Sequence, residues 1–517
     1  MSLFSRVVCT SFLTCLFILP ATAGPVQRKA RLGEAGKTVA PTITVAVDAT
    51  EAPRKIFHSK LTIPATPGTL TLYYPKWIPG EHAPSGPVDD LAGLKFTAGD
   101  RPLNWRRDLL DVWTIHVEVP AGVTSVEANL DYLSPTAASG FSAGSSATAT
   151  LTIVSWNQVL LYPKGWTADQ IQFTASLRLP QGWKMGTALP ILRRDGENIQ
   201  FQTVSLYTLV DSPVLAGEYL KVVPLSPQGQ NPPHEMDIAA DSAAALDPPE
   251  EVWQQYRNLI TQAYALFGAR HYRDYHFLYT LSDHVAHFGL EHHESDDSRV
   301  GERDLVEADG RKLAAGLLPH EYVHSWNGKY RRPADLTTPE YETPMRTDLL
   351  WVYEGLTSYL GDVLTARSGL WTVAEDSGLV IDALNGEPGV KSARFLRADA
   401  TYPERFAEIY RRLDAQREAP RTARFIAAVA TVTNGKVIYE TTGVVEGTIA
   451  ETPRGTGGFG YDPIFLYPPY GRTLAEVTET EKIAVAHRGI AFRKFTDWIN
   501  SRENLSPSRF STYERER

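Results

Sequence analysis

The segment His320-Glu321-Tyr322-Val323-His324 restricts what this chain can be more than any other stretch. Four-residue spacing sets the two histidines one above the other on a single helix face, where their imidazoles can share one metal ion. Glu321, one step around the helix, can then serve as general base toward an attacking water. Such a site needs a third ligand. Glu354, in Trp-Val-Tyr-Glu-Gly-Leu-Thr-Ser-Tyr-Leu-Gly-Asp at 351–362, offers a carboxylate from a second apolar helix. A plain polar stripe would show the same histidine spacing; the glutamate on the following helix is what favours zinc. The first helix is predicted from about Arg311 to Asn327 with Gly328 as its stop, and the second from Thr347 or Asp348 with most of its surface buried. Asp362 suits either a group that orients a ligand or a surface carboxylate.

A chain of 517 residues exceeds one compact core and predicts about two to four domains. Net charge is −9 with no long Lys/Arg run, which argues against a nucleic-acid partner. Residues 1–23 read as a secretory signal, with Arg6, an apolar run from Val7 to Leu19, and Ala21-Thr22-Ala23 as the cleavage site. This predicts an exported protein, periplasmic or extracellular, with no stable membrane anchor after cleavage. Cys9 and Cys15 both fall in that segment, so the mature chain would have neither disulfides nor a catalytic thiol.

Residues 24–40 read as a flexible leader, and 41–223 as an all-β, sandwich-like domain of short alternating runs such as ITVAVDA and DVWTIHVEVP. Within it, Tyr74 to Gly80 is a turn-rich aromatic loop, suited to a strand connection or to packing on the next domain. Residues 224–251, rich in Pro, Ser and Ala, read as a linker. Trp253, Tyr256, Ile260, Ala263 and Phe267 then follow helical spacing. A strand from His276 to Ser282 leads into Gly289-Leu290-Glu291-His292-His293-Glu294. Glu291 there could receive a substrate ammonium. His292 and His293 read as surface or substrate-contact residues, with a second metal site as the alternative.

Taken together, G-L-E-H-H-E-S at 289–295, H-E-Y-V-H-S-W-N at 320–327 and W-V-Y-E-G-L-T-S-Y-L-G-D at 351–362 resemble the glycyl aminopeptidase family of zinc metallopeptidases. The resemblance covers about residues 42–371. It implies a thermolysin-like α+β catalytic domain at 252–371, peptide substrates with small N-terminal residues such as Gly or Ala, His320, His324 and Glu354 as zinc ligands, Glu321 as base and Glu291 as amine anchor. The family's later helices, including one with an oxyanion-steadying tyrosine, do not follow Trp371.

From Thr372 the pattern changes to an α/β unit. Val373-Ala374 predicts a short strand entering an acidic turn, Glu375-Asp376-Ser377-Gly378. A helix near 402–413, strands at Arg424 to Val432 and Lys436 to Tyr439 joined by Asn434-Gly435, and a Gly-rich loop at 454–465 follow. Paired acids at a strand end can hold magnesium, and Lys482, His487 and Arg488 can bind phosphate or a purine; a capped helix start and a solvated basic helix fit the same residues. In family order, Glu375 to Gly378, Pro388-Gly389, Ser392-Ala393-Arg394, Phe459-Gly460-Tyr461-Asp462, Lys482 and His487-Arg488 resemble the inosine triphosphate pyrophosphatase family. That resemblance implies magnesium-dependent hydrolysis of non-canonical purine nucleoside triphosphates (dITP, XTP, ITP) to monophosphate and diphosphate. Asp376 would be the metal-binding base, Ser377 a substrate contact, and Phe459, Gly460, Tyr461, Asp462, Lys482, His487 and Arg488 the nucleotide side. Ala486 replaces the family's usual serine. The family's opening strand and T-x-N-x-x-K phosphate loop should occupy the ~60–70 residues before the acidic turn, and peptidase-like sequence stands there.

The whole reads as two incomplete domains fused at Trp371/Thr372, with 372–500 the truncated pyrophosphatase-like part and 501–517 a polar tail. An exported peptidase-like hydrolase is the first expectation. A pyrophosphatase as the active part, which would belong in the cytoplasm, is the second, and a catalytically impaired fusion that only binds metal is the third. An exposed sheet edge is expected where strands are missing.

Overall fold

The computed structural model describes residues 40–138, 143–226, 232–370, 372–397, 400–416, 418–433 and 436–503. The expected signal segment, most of the leader, Trp371 and residues 504–517 of the tail lie outside them. From Thr42 the chain forms short strands with alternate burial: Ile43, Val45 and Val47 face inward, Thr42 and Thr44 outward. Thr42–Asp48 lies inside a nine-stranded sheet, parallel to Gln172–Arg178 and antiparallel to Ile56–Pro64. A four-stranded sheet carries Gly68–Tyr73 and Thr114–Val119. Ile43, Val45 and Phe57 from the first sheet share one core with Leu72, Ile115 and Val117 from the second, so two sheets close on each other.

The next sheet contains β1 (Tyr219–Pro224), β2 (His234–Ala240), β3 (Tyr275–Leu281), β4 (Phe288–Glu291) and β5 (Ser295–Val300), in the order β1-β2-β3-β5-β4. The expected linker at 224–251 is therefore wrong in its middle, because β2 is an inner strand with Met236, Ile238 and Ala240 fully buried. Its polar residues disguise it. His234 hydrogen-bonds Tyr272 and Tyr322, and Asp237 pairs with His276, so their polarity is satisfied inside the sheet. Helix α1 (Glu250–Phe267) buries Trp253, Tyr256, Ile260 and Ala263, the face that the spacing predicts.

Instead of one helix over 311–327 there are two, α2 (Ala308–Ala314) and α3 (Leu317–His324). Pro319 explains the break, since it lacks the N–H that would bond to Ala315 and its ring obstructs the preceding turn. Helix α3 ends at His324, three residues before the predicted Asn327. The second helix also differs. A π-helical turn, Trp351–Gly355, precedes α4 (Leu356–Arg367). Tyr353 and Leu364 are buried, but Leu349, Trp351, Leu356 and Tyr359 are exposed. Burial is one-sided because α4 packs on α3 and α1 along one face.

Beyond α4 a sheet of β6 (Thr372–Ile381), β7 (Thr422–Thr433), β8 (Lys436–Ile449), β9 (Phe465–Tyr467) and β10 (Arg472–Thr473) is antiparallel throughout. Helix α5 (Tyr402–Asp414), opened by a Thr401/Glu404 capping box, buries Phe406, Ile409 and Leu413 on Leu379, Ile381 and Phe425. Helices α6 (Glu479–Val485) and α7 (His487–Glu503) follow, α7 against β7 and β8. The acidic turn expected at 375–378 is absent. Strand β6 pairs residue by residue with β7 from Thr372↔Val432 to Ile381↔Ala423, which holds Glu375 to Gly378 extended. Gly378 is needed for a close approach, since a Cβ there would lie 2.1 Å from the Gly389 carbonyl oxygen. Asn434-Gly435 lies outside the described residues. Along its other side β6 has an isolated bridge, Val380↔Pro388, and no ladder among the described residues. No helix of the described residues is long and apolar enough to cross a membrane.

Candidate metal centre and candidate nucleotide cluster

Helix α3 presents His320 and His324 with their Nε2 atoms 3.1 Å apart. Glu354 reaches in from the π turn, its Oε2 3.5 Å from each of those nitrogens. Donor atoms about 2.0–2.2 Å from a tetrahedral zinc stand roughly 3.3–3.6 Å apart, so this donor set fits the ion. The histidine geometry agrees. His324 Nδ1–H donates to the Asn327 carbonyl at 3.1 Å, which leaves its Nε2 lone pair facing His320 and able to ligate a cation. Gly361 lets α4 approach, since a Cβ there would sit 3.1 Å from His320 Cα. Burial would raise the Glu354 pKa, but the imidazoles of His320, His324 and His82 gathered at its two oxygens outweigh it and hold the carboxyl well below its usual range.

Glu321 is buried beside them, and a Cβ on Gly289 of β4 would fall 2.0 Å from its Oε1. Burial, then the charges of Glu291, Asp296 and Glu354, push its carboxyl well above the usual range. A divalent cation alongside reverses that balance and favours the carboxylate. Glu291, on the edge strand β4, is only 3% exposed. Burial raises its pKa, but Lys329, His324 and the Tyr353 hydroxyl prevail and bring it down to about 2. Its Oε1 accepts a hydrogen bond from Tyr353, and Gly80 closes over it, with room for no Cβ. His292 is not a surface residue, and His293 is half-buried. His292 is buried against Asp211 at 3.2 Å, the His293 N–H donates to Asp211 at 2.8 Å, and its ring meets His271. Asp211, in turn, pairs at 2.9 Å with the buried Lys329.

The C-terminal residues gather at the surface. Lys482 pairs with Asp462, whose Oδ2 also accepts the Phe459 N–H at 2.7 Å. Lys482 and Arg488 lie 4.7 and 5.7 Å from the centre of the Phe459 ring. Gly460 adopts φ +67°, which an L side chain resists. The Tyr461 hydroxyl donates to the Ser392 carbonyl at 2.7 Å. His487 stacks on Phe425, and burial with the Arg488 and Lys482 charges pushes its imidazole down to about 4, leaving it neutral at pH 7. Glu375 pairs with Arg488 at 3.0 Å. The expected magnesium pair, Glu375 with Asp376, does not form, because neighbours on an extended strand point to opposite faces. Asp376 is exposed, with its Oδ1 accepting from the Ser377 N–H at 2.9 Å.

Residues 44–218 match the Peptidase M61 N-terminal domain. Residues 360–498 match the Ham1 family. Both matched families are hydrolases. The Ham1 match begins inside α4, so the helix that follows Glu354 runs straight into Ham1-like sequence, consistent with a fusion. The dITP/XTP pyrophosphatase of Gloeobacter violaceus is 48% identical over 128 residues, 25% of this chain and 63% of that protein. That of Geobacillus kaustophilus is 44% identical over 125 residues, 24% and 61%. The chain thus spans about three-fifths of the length of the curated relatives it matches. An aminopeptidase N family protein from Idiomarina loihiensis has a similar fold, with TM-score 0.52 and 22% identity over 63% of this chain and 55% of that one.

Several residues of the M61-like part escape sequence reasoning. The Tyr74–Gly80 loop does pack on the next region, through the Trp77 N–H to Tyr341 at 2.8 Å. Just past it, His82 Nε2 meets Glu354 Oε1 at 2.7 Å, across 272 residues. No local spacing rule spans such a distance. Tyr353 and Lys329 were equally silent, although each lies within a few residues of a predicted ligand.

Proposed function

We propose that the region up to α4 is a thermolysin-like zinc aminopeptidase centre acting on peptides with a small N-terminal residue such as Gly or Ala. The convergence of His320, His324 and Glu354 at zinc-like spacing carries this reading. Zinc held there would polarise the scissile carbonyl and acidify a water. Glu321 takes the water proton and passes it to the leaving amine. Glu291, kept ionised, supplies the negative charge for the substrate ammonium once the Tyr353 hydroxyl yields it. The N-terminal segment would export the protein. The purified full chain is expected to bind about one zinc ion and to cleave Gly- or Ala-anilides. Glu321→Gln should keep the metal and lose turnover; undiminished turnover would remove Glu321 as base.

A second reading rests on the clustering of Phe459, Asp462, Lys482 and Arg488 in Ham1-like sequence. Here the C-terminal region hydrolyses dITP or XTP with magnesium, the Phe459 face and the two cations receive the nucleotide, and Asp376 acts as base. Diphosphate release from dITP should require magnesium and vanish in Asp376→Asn. Release that persists in the variant would discard that role. A folded chain that binds zinc yet turns over neither substrate would be the metal-binding shell.

A further inference from the structure

Among the contacts that the β-rich region makes with the peptidase-like centre, one reaches a candidate ligand directly, and nothing in the motifs points to it. His82 lies just after the Tyr74–Gly80 loop of the β-rich region, with backbone φ +55°, a conformation that non-glycine residues rarely hold without a reason. The loop around it is fixed. The Glu81 N–H donates to Ile78 at 3.1 Å, the Gly86 N–H to Lys76 at 3.0 Å, and the Trp113 indole to Gly86 at 2.8 Å. His82 is placed edge-on to Tyr353, ring centres 4.9 Å apart, with its Nε2 2.7 Å from Glu354 Oε1. A carboxylate only accepts, so Nε2 carries the proton. Nδ1 is buried and has no partner among the described residues.

We propose that His82 is a positioning residue for the metal ligand Glu354. The terminal torsion of a glutamate is broad and roughly two-fold, so the side chain alone does not choose which oxygen faces the histidines. By engaging Oε1, His82 turns Oε2 toward His320 and His324 and offsets the cost of holding the carboxylate in one orientation. The β-rich region thereby completes the metal centre. This inference rests on the zinc reading of His320, His324 and Glu354.

The test is zinc affinity of the full-length protein, measured by competition with a chromophoric chelator at fixed pH, with circular dichroism to verify folding. His82→Phe keeps a ring against Tyr353 and removes the donor, and His82→Gln restores an N–H at similar reach. Zinc binding should weaken about 10–100-fold in His82→Phe and recover most of that loss in His82→Gln. His82→Ala should behave as His82→Phe and replaces it should the larger ring prevent folding. Wild-type affinity in a folded His82→Phe or His82→Ala variant overturns the proposal and leaves the zinc reading standing. A Gln variant no better than Phe also overturns it, since packing rather than the donor would then matter. Folded wild-type protein that takes up no zinc overturns the zinc reading and this inference with it.

Discussion

The candidate metal centre and the candidate nucleotide cluster differ in how much of their charge is open to solvent. At the candidate metal centre Glu291, Glu321 and His324 are 3%, 5% and 1% exposed, while His320 and Glu354 open partly to solvent. In the C-terminal cluster Phe459 is 63% exposed and Arg488 keeps 45% of its side chain in solvent, while the acids and bases pair with each other. Burial makes the charges of the first site depend on one another, because an unpaired ion there has no water to fall back on. In the second, solvent screens the Arg488–Glu375 pair, whereas Lys482 and Asp462 keep only 21% and 6% of their side chains in solvent. A mostly buried centre and a more open cluster thus share one chain, joined through α4.

Three substitutions test that contrast, beginning with the largest effect. Lys329→Met removes a fully buried ammonium from Asp211 at 2.9 Å and Glu291 at 3.9 Å, leaving two buried carboxylates without their counter-charge. It should cost about 3–5 kcal/mol in urea unfolding; a loss under about 1 kcal/mol would mean that water reaches the pocket and that the contrast is overstated.

Glu342, in the loop between the two metal-site helices, tests partial burial. Burial and then Asp111, partly offset by Lys76, push its carboxyl up to about 8, and neither oxygen has a hydrogen-bond partner among the described residues. Its folded-state pKa lies above the unfolded one, so the folded state holds the proton more tightly. Stability should fall as pH rises from the ordinary glutamate range through about 8. Glu342→Gln never ionises and should be more stable than wild type at pH 9, by on the order of 1–2 kcal/mol after allowance for partial exposure, with the gain gone by pH 4. Parallel melting curves at the two pH values check the sign.

The smallest effect is expected from Arg488→Ala, which breaks the exposed pair with Glu375 and should cost less than about 1 kcal/mol. A thermal shift matching that of Lys329→Met would show that the surface cluster is structural after all.

Much of this was legible because it is local. The helix α1 face, the alternation in Thr42–Asp48, the helix over 402–413 and the His320/His324 spacing all follow from patterns over a few residues. What was misread shows where local rules stop. Strand β2 looked like linker because His234 and Asp237 find buried partners elsewhere, and the acids at 375–378 looked like a turn because the β7 ladder that extends them is some fifty residues away. The single helix expected over 311–327 divides because Pro319 lacks an N–H for the preceding turn and crowds it.

By itself, the sequence determined which groups are on offer: two imidazoles and a carboxylate of the kind a metal takes, and an aromatic ring with cations of the kind a nucleotide takes. Only the tertiary structure decided how those groups are held. It placed Glu375 on Arg488, buried His292 on Asp211 with the His293 N–H bound to the same carboxylate, and brought His82 from the β-rich region onto Glu354. The physical reason is that side-chain type sets what a group can bind, whereas its orientation and charge come from neighbours that packing supplies from distant parts of the chain.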